Sequence, residues 1–200
     1  MRAHASRGAV AWPVVRGMAP GIILGAFLTA QVAANINSTT IALFFALFMA
    51  LIAVQMFFNW QPQPSQKPIS LSGLIVAGVG IGSVSALAAV GGGFLTVAYL
   101  GYKNVDMKKA IGASAAIGFP IAITGTIGYI MSGWSRTLSD PYTLGYIYVP
   151  AFLAISIASS ITAPYGARYS HSLPEAYLKR IFAVISLVLS LKMLVSFVQF

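Results

Sequence analysis

The sequence predicts an all-α membrane protein: a polytopic transmembrane helical bundle of two similar, inverted repeats, with one helix broken by glycine so that it re-enters. Three observations carry that expectation. Of 200 residues, 58% are hydrophobic and 8% charged, where a soluble domain needs roughly 25% charged residues to dress its surface. Six apolar stretches each reach about the ~20 residues that cross a hydrocarbon core. A run of three glycines, Gly91-Gly92-Gly93, interrupts one of them.

The first stretch, residues 17–34, carries Gly17, Gly21 and Gly25 at four-residue spacing. That spacing puts the glycines on one helix face, where membrane helices approach closely. Arg2, Arg7 and Arg16 precede this run and Val32-Ala33-Ala34 closes it, which is also the outline of a cleaved secretory signal. Signal cores are shorter, however, and a second stretch (40–58) follows after a short gap, as in a helical hairpin. A polar segment with Pro62, Pro64 and Pro68 then links to the stretches at 71–100, 110–134, 143–165 and 176–200.

A weak internal repeat is visible. Thr29-Ala30, Phe45-Ala46 and Gln55-Met56 are matched in order by Thr162-Ala163, Phe182-Ala183 and Lys192-Met193, with four residues inserted in the later copy. The first hairpin therefore corresponds to the last. Residues 1–58 read as the second part of a first repeat, 59–70 as a linker and 71–200 as the second repeat, with four apolar segments of which one is broken. Residues 71–134 have no counterpart upstream, so the chain reads as starting within a repeat and lacking an opening hairpin.

Composition excludes several functions. The formal charge of +9 falls in short gaps between apolar stretches and forms no basic face, which speaks against nucleic-acid binding. Without cysteine there is no disulfide, thiolate metal site or thiol nucleophile. The acids are Asp106, Asp140 and Glu175, and the histidines are His4 and His171, in loops. No metal-ligand spacing, nucleophile motif or acid/base pair arises from these. The expectation is no catalytic residue, no metal, no cofactor and no enzyme. Lys192 lies in the last stretch and reads as a snorkelling or bundle-packed lysine. Trp12, Trp60 and Trp134 flank spans as interfacial anchors do.

Two spans carry interruptions. Three successive glycines are poor helix formers and free backbone N–H groups in mid-membrane, which is tolerated only where protein or a cavity surrounds them. A helix restarting after Gly93 would aim its positive N-terminal end there, which suits an anion. In the next span Pro120 removes a donor and disturbs the preceding turn. Paired interruptions in neighbouring apolar segments point to a transporter binding site. Gly91, Gly92, Gly93 and Thr96 are the predicted donors to a small anion, and Ser114, Pro120, Thr124 and Gly125 the opposing wall. No Gly-Lys-Ser/Thr follows the glycines, so they form no nucleotide-phosphate loop. The bland reading of Gly78–Gly82 and Gly125–Gly128 is helix packing.

Loop charge bears on the number of crossings, because Lys and Arg accumulate on the cytoplasmic side. Six single crossings leave the charges evenly split. If the glycine triplet turns the chain back, Arg2, Arg7, Arg16, Lys67, Lys103, Lys108, Lys109, Arg168, Lys179 and Arg180 share one side and Arg136 alone faces the other. A stretch of about 30 residues is short for two full crossings, so a full span plus a re-entrant half-helix fits both length and charge.

At these residues the chain resembles the sulfite exporter TauE/SafE family. The resemblance rests on Val90-Gly91-Gly92-Gly93-Phe94-Leu95-Thr96-Val97, on Lys109-Ala110-Ile111-Gly112-Ala113-Ser114 and on Phe119-Pro120-Ile121-Ala122-Ile123-Thr124-Gly125-Thr126-Ile127-Gly128-Tyr129. The segment from His4 to Gly21 is similar to the middle of that family's first half. The resemblance implies a multi-pass protein of the bacterial inner membrane, made of two similar halves. It implies transport of sulfite, sulfonates and related small anions. The expected partners are that anion and the lipid bilayer, with homo-oligomerisation left open. The competing expectation is a non-catalytic multi-pass subunit, or a transporter fragment that is not competent by itself.

Overall fold

The structure, a computed structural model, describes residues 10–58, 70–88, 91–135, 141–172 and 175–198. The first arginines, nearly all of the predicted linker, Ala89-Val90 and Arg136 lie outside these residues. The helices are α1 (Trp12–Ala33), α2 (Ser38–Phe57), α3 (Leu71–Ala88), α4 (Gly93–Tyr102), α5 (Met107–Gly133), α6 (Val149–Ser172) and α7 (Glu175–Val198). One antiparallel ladder, β1 (Thr143–Leu144) with β2 (Ile147–Tyr148), precedes α6. Among the described residues α1, α2, α3 and Lys109–Gly133 of α5 are long and apolar enough to cross a membrane, and α4 and Val149–Ala163 are shorter apolar helices. The protein is an all-α membrane protein.

Three sequence expectations need correction in detail. The break expected at Gly91–Gly93 is present, and what needs correcting there is only that the stretch at 71–100 makes two separate helices, α3 and α4, in place of one interrupted helix. The stretch at 143–165 opens as a hairpin and turns helical only at Val149. Its two-residue loop places Gly145 at φ 59°, a conformation that a hairpin turn with glycine first requires. The span around Pro120 is unbroken, because α5 runs through it as continuous helix. Proline there removes one backbone bond to the preceding turn without ending the helix.

The chain divides into two compact units, Met1–Ile36 with Gln61–Ser132 and Asn37–Trp60 with Gly133–Phe200. In the first, α1 and α3 lie almost backbone to backbone. Gly21 abuts the Ile75 carbonyl and Gly25 the Val79 carbonyl. Reciprocally, a Cβ at Gly78 or Gly82 would come within 2.5 Å of the Met18 or Ile22 carbonyl oxygen. Residue numbers rise together on both helices, so α1 and α3 run parallel. With lipid on the outside there is no hydrophobic drive to pair helices, and close van der Waals contact between small residues does that work.

Around this pair Met18, Ile22, Leu74, Ile81, Leu100 and Ile117 form a buried core shared by α1, α3, α4 and α5. Leu24, Leu28 and Val32 of α1 and Val76 of α3 face outward uncovered, as lipid-facing residues do. The turn from α4 to α5 is specified locally. Asn104 takes φ 58°, the Val105 N–H reaches the Leu100 carbonyl and the Asn104 N–H the Gly101 carbonyl, both at 3.0 Å. That pattern is a Schellman stop. Asp106 then caps α5, its Oδ1 accepting from the Lys109 N–H at 3.3 Å.

In the second unit α2 packs on α7. Ala46, Met49, Ile52 and Ala53 are buried on α2, and Ala183, Ser186 and Ser190 on α7. The Ser190 hydroxyl donates to the Ala46 carbonyl at 2.8 Å. The alignment expected from the sequence, which sets Ala46 against Ala183, would also set Met49 against Ser186 and Ala53 against Ser190, all of them buried.

Candidate functional site

The glycine triplet sits in the first unit, where α3 gives way to α4. Gly92 is the N-cap of α4, and no side chain caps it. The Thr96 N–H closes the first helical bond, to the Gly92 carbonyl at 2.9 Å, and the Gly93 N–H turns to the Gly91 carbonyl. The first-turn N–H groups of Phe94 and Leu95 have no carbonyl one turn back within α4, which is how any α-helix begins. Together with the helix dipole they make this end locally positive.

Contacts at its two ends set the course of α4. Ser85 of α3 lies at the Gly92 end, its Oγ 3.6 Å from where a Cβ on Gly92 would stand. At the other end the Tyr99 hydroxyl donates to the Gly73 carbonyl, near the start of α3, at 3.3 Å. So α4 runs back along α3. The side chains nearest Gly92 from α5 are Ile121 and Ile117. Those residues stand 10–14 positions into α5, about 15–21 Å along a helix of roughly 40 Å. The break is therefore level with the middle of its longest neighbour.

The polar groups here are hydroxyls. Ser114 Oγ lies 4.0 Å from the Cβ position of Gly93 and donates to the Ile111 carbonyl at 2.8 Å. Thr96 is fully buried and Ser85 is 3% exposed, yet neither hydroxyl has a hydrogen-bond partner among the described residues. Other helical hydroxyls, those of Ser132, Ser160 and Thr162, bond a carbonyl one turn back. The Tyr129 hydroxyl donates to the Ala86 carbonyl at 2.9 Å, satisfying one of the acceptors left open where α3 ends. Asp106, the one acid among the described residues outside α7, is at the far end of α4. No group of His, Cys, Asp or Glu fit to hold a metal occurs among the described residues.

The geometry thus brings together Gly92, Gly93, Thr96 and Ser114 of the predicted set. Gly91 is exposed beside them. Pro120 and Thr124 are half-buried in the continuous α5, and Gly125 is buried with no described atom within 4 Å of its Cβ position. The wall that meets Gly92 is Ile117 and Ile121. Sequence reasoning missed both, together with Ser85. Spacing held a signal for the isoleucines, since Ser114, Ile117 and Ile121 stand at i, i+3 and i+7 on one helix face. Nothing local distinguished Ser85 from Ser83.

A family model described as sulfite exporter TauE/SafE matches residues 1–193. The chain belongs to the sulfite exporter TauE/SafE family. It is 33% identical to a "Probable membrane transporter protein" of Haemophilus influenzae (strain ATCC 51907 / DSM 11121 / KW20 / Rd), over 95% of this chain and 72% of that protein. It is 27% identical to "Probable membrane transporter protein YtnM" of Bacillus subtilis (strain 168), over 57% of this chain and 39% of the relative. It is 23% identical to "Probable membrane transporter protein YdhB" of the same organism, over 83% of this chain and 64% of the relative. No solved structure matches. TauE/SafE membership and the similarity to probable membrane transporters make the chain a multi-pass membrane transporter.

Proposed function

We propose that this TauE/SafE protein, placed in a bacterial inner membrane, transports a small sulfur oxyanion, sulfite or an organosulfonate, past the start of α4. The observation that carries this reading is the uncapped N-terminus of α4 at the buried Gly92, with the Ser85 hydroxyl beside it and the buried Thr96 one turn on, both without a hydrogen-bond partner among the described residues. An anion that leaves water needs several hydrogen-bond donors at once. Backbone N–H groups and hydroxyls supply them without a fixed positive charge that would hold the anion too tightly to release. Gly91, Gly92, Gly93, Thr96 and Ser114 contribute the donor side, and Pro120, Thr124 and Gly125 shape the far wall along α5.

The α3–α4 pair acts as a full span followed by a re-entrant half-helix. Support comes from the return of Tyr99 to Gly73 and from the loop charges. The domain division follows the repeats, with 1–58 from the first repeat, 59–70 a linker and 71–200 the second. Here the α2–α7 contact supports an inverted relation. Repeat mates related by an axis along the helices would sit level, leaving Ala46 and Ser190 about two turns apart. Their 2.8 Å hydrogen bond instead fits an axis across the helices near Met49 and Ser186, which makes the mates antiparallel.

Purified full-length protein in liposomes should accumulate radiolabelled sulfite above protein-free liposomes. No accumulation by the protein alone would favour the rival reading of a non-catalytic subunit. Reporter fusions after Lys109 and after Asp140 should report the cytoplasmic and the opposite side, respectively. A cytoplasmic signal at Asp140 would sink the re-entrant arrangement.

A further inference from the structure

We propose that Ser85 is a direct donor to the transported anion and that Ile121 sets the largest anion the site admits; this rests on the transport reading above. Ser85 belongs to α3, outside the glycine motif, and is brought there only by the return of α4. Ser85 is 3% exposed and Thr96 fully buried, and neither hydroxyl has a partner among the described residues. Both serine and threonine can bond a carbonyl of the preceding turn, as Ser132, Ser160 and Thr162 do. Ser186 of α7 is a third buried hydroxyl without a partner among the described residues. Only that of Ser85, however, lies 3.6 Å from the Cβ position of Gly92, at a helix start that no side chain caps. With Thr96 one turn further along α4, this suits a ligand with several acceptor oxygens. An anion held there accepts from the Ser85 and Thr96 hydroxyls and from the first-turn N–H groups of α4.

Ile121 bears on size. Its Cδ1 occupies the place a Cβ on Gly92 would take, and the Ile117 Cγ2 is 3.7 Å from the same point. Sulfite presents three oxygens and a lone pair, whereas a sulfonate carries a carbon substituent in the lone pair's place. The terminal methyl of Ile121 stands over the glycine where that substituent would lodge. Ile121→Val removes this one carbon and leaves the helix face apolar.

Two measurements test the proposal, on full-length protein in liposomes. Ser85→Ala should raise the half-saturating sulfite concentration about tenfold, the loss of one hydrogen bond to a charged ligand. Ile121→Val should raise ethanesulfonate flux relative to sulfite flux several-fold. Wild-type saturation by Ser85→Ala overturns the role of Ser85, and an unchanged flux ratio in Ile121→Val overturns that of Ile121. Because the chain has no cysteine, Ser85→Cys supplies a unique thiol and a binding readout independent of transport. Saturating methanesulfonate, which does not react with maleimides, should slow its labelling by N-ethylmaleimide about tenfold. An unchanged labelling rate overturns the proposal even if Ser85→Ala fails to fold. Absence of wild-type flux would overturn the transport reading instead, and the labelling arm would still decide whether Ser85 contacts an anion.

Discussion

Gly92→Leu is expected to abolish sulfite flux while leaving the protein inserted in the membrane in normal amount. A Cβ at this position falls on the Cδ1 of Ile121 and stands 3.6 Å from the Ser85 hydroxyl. A leucine side chain would crowd the Ser85 hydroxyl, Ile117 and Ile121 at the start of α4. The obstructing Ile121 atom is the end of a flexible side chain, so the fold can give way. The proposed anion site beside Ser85 cannot stay open at the same time. Helix insertion depends on the hydropathy of whole spans, which one added leucine does not lower. Flux is read in liposomes and insertion by membrane extraction and detergent chromatography. Wild-type flux from this variant would remove the triplet from the site.

Gly21→Ala is the second large effect, and here the loss is of the fold. The added carbon would meet the Ile75 carbonyl oxygen, with the Ile75 carbonyl carbon and the Val79 nitrogen 3.0 Å away. All three are backbone atoms of a helix, so only a shift of α1 away from α3 can relieve them. Overpacking of this kind costs about 3 kcal/mol, a large part of the roughly 5–15 kcal/mol that holds a protein folded. The shift also loosens contacts along the whole parallel pair. A marked fall in unfolding temperature in detergent is expected, with reduced yield of monodisperse protein. Gly80→Ala on α3 is the control. No described atom lies within 4 Å of its Cβ position, so it should gain about 0.5–1 kcal/mol from improved helix propensity. Equal effects of the two changes would show that α1–α3 contact is not what Gly21 serves.

The sequence announced which residues would matter more reliably than what each would touch. Gly17, Gly21 and Gly25 were legible as a packing face because helical spacing alone aligns them. Their partners Gly78 and Gly82 were legible only as packing residues without an address, since the partner helix lies some 55 residues away in the chain. Pro120 misled, because a proline signals a lost donor and not how the surrounding helix absorbs it. The Thr143–Tyr148 hairpin was absorbed into an apolar run, although Gly145 among β-branched and aromatic residues was a usable turn signal.

By itself the sequence determined that this protein lives in lipid, that its spans are helices and that one of them breaks at Gly91–Gly93. Those features follow from composition and from local backbone preference, which need no knowledge of neighbours. Only the tertiary structure decided what surrounds the break. It set Ser85 from α3 and Ile117 and Ile121 from α5 against Gly92, and it packed α2 on α7. Contacts between helices depend on which faces meet. In a membrane, where lipid is as apolar as the side chains, that choice rests on shape and small residues and leaves little trace in the hydrophobic pattern.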